Sequence, residues 1–120
     1  MARQTESLLS VRDWVKDIQR DVRDTPDLLP DRAAAMLTTL TALMGNCNDE
    51  IRHADADYAR VLLQCLERDE AANRAKIRAE ITPEYARKRE ARDTKELVVE
   101  LVRSLKYFLR CKEDEVRLTR

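Results

Sequence analysis

The chain has almost none of the residues that build turns and sheets. One glycine and three prolines in 120 residues leave little turn chemistry, and strand-forming runs of Val, Ile, Thr and aromatics are absent. An all-α fold is predicted. A single glycine also excludes a glycine-rich phosphate loop. With one histidine and three cysteines there is poor material for acid–base, nucleophilic or zinc chemistry. No two of Cys47, His53, Cys65 and Cys111 have the close spacing of a structural zinc site, and His53 sits among Glu50, Asp55 and Asp57 as a surface residue would. The sequence therefore predicts no enzyme, no catalytic residue, no metal and no cofactor. An odd number of widely spaced cysteines argues against a disulfide framework and for a reducing compartment. There is no apolar run of about 18 residues and no signal-peptide core, so the expectation is a cytoplasmic protein with no membrane partner. The charges balance, 23 basic against 23 acidic, so bulk charge selects neither nucleic acid nor membrane.

What is present is helical periodicity. Ala33, Leu37, Leu40, Met44, Cys47, Ile51, Ala54, Tyr58, Val61 and Cys65 step by four and three, and after a polar rung at Arg68 the ladder resumes at Ala72, Ala75 and Ala79. Such residues share one stripe of a helix and face a partner helix. A helix over about 31–81 would be ~75 Å long at 1.5 Å per residue, too long for the core of a small globule. An elongated molecule is predicted. Gly45-Asn46 is the weak point, costing roughly 1 kcal/mol at the glycine relative to Ala, but the stripe runs across it without a slip.

The flanks complete the prediction. Leu8, Val11, Val15, Ile18 and Val22 mark an N-terminal helix over about 7–23, with Thr5 or Ser7 as cap. Pro26 and Pro30 make 24–31 a linker. Thr82-Pro83-Glu84 restarts a helix over about 83–118, and Asp93-Thr94-Lys95-Glu96 offers a second start. Its apolar face is Leu97, Val98, Leu101, Val102, Leu105, Phe108 and Leu109. Folding back at 81–83 sets Leu97 near Glu67, Leu101 near Leu63, Leu105 near Ala59 and Phe108 near Ala56. Residues 67–95 would then form a thin charged tip. The expected architecture over 1–120 is one domain: an antiparallel helical hairpin spanning 31–118 with a docked N-terminal helix.

Two surfaces stand out. Residues 74–92 hold seven basic and three acidic groups, whereas 1–31 hold five and seven. Arg74, Lys76 and Arg78 lead into the tip, and Arg87, Lys88, Arg89 and Arg92 lead out. Clustered cations bind backbone phosphates, and Tyr85 could stack on an unpaired base. The plainer reading is a solvated helix neutralised by Glu70, Glu80, Glu84 and Glu90. The second surface is the proximal stripe, where Trp14, Met36, Leu37, Leu40, Met44 and Cys47 are candidates for a homo-oligomer contact.

Several tracts carry a family resemblance: Gly45-Asn46-Cys47-Asn48-Asp49-Glu50-Ile51, Asp57-Tyr58-Ala59-Arg60-Val61-Leu62-Leu63, Tyr85-Ala86-Arg87-Lys88-Arg89-Glu90-Ala91, Glu100-Leu101-Val102-Arg103-Ser104-Leu105-Lys106 and Asp114-Glu115-Val116-Arg117. In this order they resemble the small helical phage proteins related to the UvsY recombination mediator. Such mediators bind single-stranded DNA, form oligomeric rings, and help load a recombinase onto DNA coated by single-strand-binding protein. The resemblance implies DNA contact at Arg87, Lys88, Arg89 and Arg92, with Lys106 a further candidate. The competing expectation is a helical protein–protein module, such as a virion or scaffold component or an inhibitor, with no nucleic-acid binding.

Overall fold

The computed structural model describes residues 10–68 and 71–118, which form helices and their short connections. Helix α1 spans Val11–Asp24. Ser10 caps it, its hydroxyl accepting from the Asp13 N–H at 3.2 Å, and thereby satisfies a donor that the first turn leaves free. Thr5 and Ser7, the expected caps, lie outside the described residues. Helix α2 spans Pro30–Arg68, with proline at the first helical position where its missing N–H costs nothing. It passes through Gly45-Asn46 unbroken, as the continuous stripe predicts.

The ladder is continuous in sequence but not in space. α2 ends at Arg68, Ala71 is extended, and helix α3 occupies Ala72–Glu80. The chain reverses between Arg68 and Ala72, well before 81–83, and α3 lies back along α2. Its alanine rungs, Ala75 and Ala79, are completely buried against Tyr58 and Cys65, with Val61, Leu62 and Tyr85 beside them. The expected single helix over 31–81 is therefore two antiparallel pieces, and the reversal lies near residue 70 instead of at 81–83. The physical reason is that small rungs permit close helix contact, so the alanine segment can pack on its own α2.

Helix α4 spans Pro83–Leu118 and continues the return direction below α3. Thr82 makes the joint, as the Thr-Pro-Glu signal predicts. Its hydroxyl donates to the Ala79 carbonyl at 2.6 Å and accepts from the Tyr85 N–H at 3.4 Å, closing one helix and opening the next. No second start occurs at Asp93. Thr94 is buried inside α4 and its hydroxyl donates to the Glu90 carbonyl at 2.8 Å. The early reversal also moves the register. Leu101 and Leu105 pack with Leu40, Leu43 and Cys47, whereas their expected neighbours, Leu63 and Ala59, stay exposed.

The result is an elongated, all-helical molecule of 72 × 38 × 22 Å, built on the antiparallel pair α2 and α4. Helix α1 docks across one end and buries Val15 against that pair. The main core there joins Val15, Leu40, Cys47, Val98 and Leu105, all nearly inaccessible to solvent. The other end contains α2 and α3 with the start of α4.

Candidate interaction surfaces

The basic residues at the α3–α4 joint are brought together, but most face inward partners. Arg87 Nη1 lies 2.7 Å from Asp57 Oδ2, and Arg92 Nη2 lies 2.7 Å from Asp55 Oδ2. The Lys88 ammonium sits 4.5 Å from the centre of the Tyr58 ring, and the Arg89 guanidinium 6.0 Å from that of Tyr85. Tyr85 is itself half-buried and tilted against Tyr58, with ring centres 5.2 Å apart. Each such contact is worth about 1 kcal/mol or less at an exposed site. All but the Arg89–Tyr85 contact, which lies within α4, tie the start of α4 to α2, and together they spend cations that a ligand would need.

On α3, Arg74, Lys76 and Arg78 are exposed. Among the described residues Arg74 and Lys76 make no ion pair, whereas Arg78 is engaged by the chain. Lys106 is also exposed but lies further down α4, roughly 28 Å along the helix from Arg87, and does not join this group. In the sequence Asp55 and Asp57 stand out only as acidic neighbours of His53. They matter because they neutralise the cluster, and Asp55 Oδ1 is enclosed with no donor among the described residues.

The candidate oligomer residues are placed mainly inside the chain's own core. Met36, Leu40 and Cys47 are buried there, and Leu37 and Met44 pack against them. Trp14 is the exposed member and borders a shallow groove between α1 and α2 with Met36 and Thr39. Near the start of α1, Arg12 pairs with Glu90 at 2.9 Å and donates to the Thr94 hydroxyl at 3.4 Å. These residues line a cleft of about 220 Å³ with Cys47 in its wall. Burial pushes the Cys47 thiol up, the Glu50 charge adds to this, and Lys95 opposes it. Burial likewise pushes the Tyr58 phenol up, with Glu80 next in effect. All three cysteines are free thiols.

Large apolar side chains lie on the outside of the α3 end. Leu63 is 57% exposed, Ile77 65% and Ile81 80%, with Leu66 partly exposed. Among the described residues no cluster of His, Cys, Asp and Glu could hold a metal ion, and no helix is long and apolar enough to cross a membrane. No family model, curated protein or solved structure matches this chain.

Proposed function

We propose that the protein is a non-enzymatic helical interaction module whose exposed helix faces, rather than a pocket, engage a partner. The observation that carries this reading is the inverted distribution of side chains at the α3 end. Leu63, Leu66, Ile77 and Ile81 face solvent while Ala75 and Ala79 fill the inside. A chain acting alone gains more by burying the large residues, so large ones left outside mark a surface that is covered in use. A virion or scaffold component, or an inhibitor that covers a partner's helix, has this character. The free thiols favour a reducing, cytoplasmic setting.

A second reading is contact with single-stranded DNA in the manner of a recombination mediator. It is favoured by the solvent-facing Arg74 and Lys76 on α3. Under this reading Arg87 and Arg92 exchange their carboxylate partners for phosphates, which weakens the gain per contact. Light scattering with and without a single-stranded oligonucleotide, at low and physiological salt, separates the two. A complex that forms at low salt, dissociates steeply as salt rises, and fails with Arg74→Glu plus Lys76→Glu supports the DNA reading. No complex at low salt removes it and leaves the protein–protein reading. That reading fails in turn if Leu63→Lys and Ile77→Lys together change neither the mass of the protein in solution nor its capture of any phage or host protein.

A further inference from the structure

The ladder that builds the core is not the only heptad seam on α2. On the opposite side of the helix Thr38, Ala42, Gly45 and Asp49 step by four and three, and the alternation continues through Arg52, Ala56, Ala59, Leu63 and Leu66. Every one of these positions is exposed. Helices α1, α3 and α4 all pack on other sides of α2, so among the described residues the second seam is open along its whole length.

Three features separate it from an ordinary solvated face. First, the sequence has no charged residue between Arg32 and Asp49, in a chain that is 38% charged. The outward side of α4, by contrast, is carried by Arg89, Asp93, Glu96, Glu100 and Arg103. Second, the Thr38 and Thr41 hydroxyls are turned back onto their own helix, donating to the Ala34 and Leu37 carbonyls at 3.1 and 2.8 Å. This leaves methyl groups rather than hydroxyls on the outside. Third, a Cβ added to Gly45 would meet nothing within 4 Å. Alanine there would help the helix by about 1 kcal/mol, and the single chain gives no reason for the glycine.

We propose that this seam pairs with the same seam of a second copy, antiparallel and about a two-fold axis near residues 50 and 51. The proposal rests on the reading of the chain as an interaction module and names its partner. The choice of occupant and direction comes from the seam's own asymmetry. One half carries no side chain larger than threonine (Thr38, Ala42, Gly45), and the other, after Ala56 and Ala59, ends in leucines (Leu63, Leu66). An antiparallel pair sets Leu63 over the partner copy's Thr38, Ala59 over its Ala42 and Ala56 over its Gly45. At the centre Asp49 of each copy meets Arg52 of the other, adding to the Asp49–Arg52 pair of 2.9 Å within each chain. A parallel pair would stack leucine on leucine and small on small, and would set Asp49 against Asp49. Isologous contact of this kind is the commonest way soluble chains self-associate. Two helices touching over ~42 Å cover on the order of 1,000 Å², the lower bound for a specific interface, so a dimer of modest affinity is expected.

The test is sedimentation equilibrium of the full chain across a concentration series, with circular dichroism to check folding. The wild type should move from monomer to dimer mass as concentration rises. Leu63→Arg should weaken the dimer by about tenfold or more, as for a charge placed in an interface core. Asp49→Arg should weaken it comparably by facing Arg52 of the other copy, and the swap of Asp49→Arg with Arg52→Asp should restore it. A wild type that stays monomeric at every concentration overturns the pairing, though the interaction reading stands if another partner binds. A dimer that is indifferent to Leu63→Arg and to Asp49→Arg overturns the surface. All three changes are at exposed positions and leave the helix content of the monomer intact.

Discussion

The two ends of the molecule share helix α2 and the same packing period, yet they are built from different amounts of apolar matter. Where α1 docks, α2 offers Met36, Leu40 and Leu43 to Val15, Val98, Leu101 and Leu105. At the far end it offers Tyr58 and Cys65 to Ala75 and Ala79. Full burial of a leucine or valine contributes about 1.5–3 kcal/mol, while an alanine methyl contributes only a fraction of that. Periodicity decides which face is inside, and side-chain volume decides how firmly that face is held. Stability should therefore be concentrated at the α1 end, with α3 fastened lightly by its two alanines and the Thr82 joint, and the start of α4 by the tyrosine pair and the Arg87 and Arg92 ion pairs.

The largest effect should come from emptying the strong end. Leu40→Ala at a fully buried site is expected to cost about 2–5 kcal/mol, seen as a cooperative loss of the urea midpoint for the whole chain. Overfilling the weak end should cost less and act locally. Ala79→Leu has no room against Tyr58, and a penalty of about 1–3 kcal/mol should detach α3 while the rest stays folded. Trypsin would then cleave after Arg74, Lys76 and Arg78 with the circular dichroism melt little changed. If Ala79→Leu instead unfolds the whole chain, the two ends are one cooperative unit and the contrast fails. Thr82→Ala removes a cap worth about 1 kcal/mol and should raise the same tryptic cleavage by a smaller factor.

Smaller still are the electrostatic tests. The Cys47 thiol is pushed up in the folded state, so the native chain holds its proton at a pH where the unfolded chain has lost it. Its contribution is full below the unfolded thiol value of about 8.5 and is lost as pH rises from there towards the folded value. The Cys47 contribution to the thermal midpoint should be constant up to that point and decline above it, so Cys47→Ala should make the alkaline decline shallower whatever it does to the midpoint itself. Last, a double-mutant cycle on Arg87 and Asp57 should give a coupling below about 1 kcal/mol that fades with salt. A coupling several times larger would mean that the weak end is held by charge more firmly than its exposure implies.

Much of this architecture is legible in particular residues. Val11, Val15 and Ile18 mark α1, the unbroken stripe through Gly45 marks α2 as one helix, and Thr82-Pro83 marks the start of α4. The reversal after Arg68 is not legible, because Ala71 and Ala72 carry no breaker signal and the ladder stays in step across them. A periodic stripe tells which face is apolar and is silent about the direction the chain takes afterwards. That one omission propagates into the surface. Which carboxylate faces which arginine depends on where the hairpin turns, so Asp55 and Asp57 cannot be matched to Arg92 and Arg87 without the reversal. The basic cluster is plain in sequence, and its neutralisation is not.

Helix α3 has one more consequence, which concerns time rather than affinity. It spans Ala72–Glu80, about 13 Å of helix, shorter than a segment that holds its hydrogen bonds unaided in water. Its amides are protected only while Ala75 and Ala79 remain seated on α2. They should exchange with solvent deuterium as one group, through an opening far cheaper than unfolding the chain, while those of α2 around Leu40 wait for global unfolding. The protein should thus carry a fast element and a slow one, with Ile77 on the fast element, so that its exposed face is expected to be renewed many times within the lifetime of the bundle.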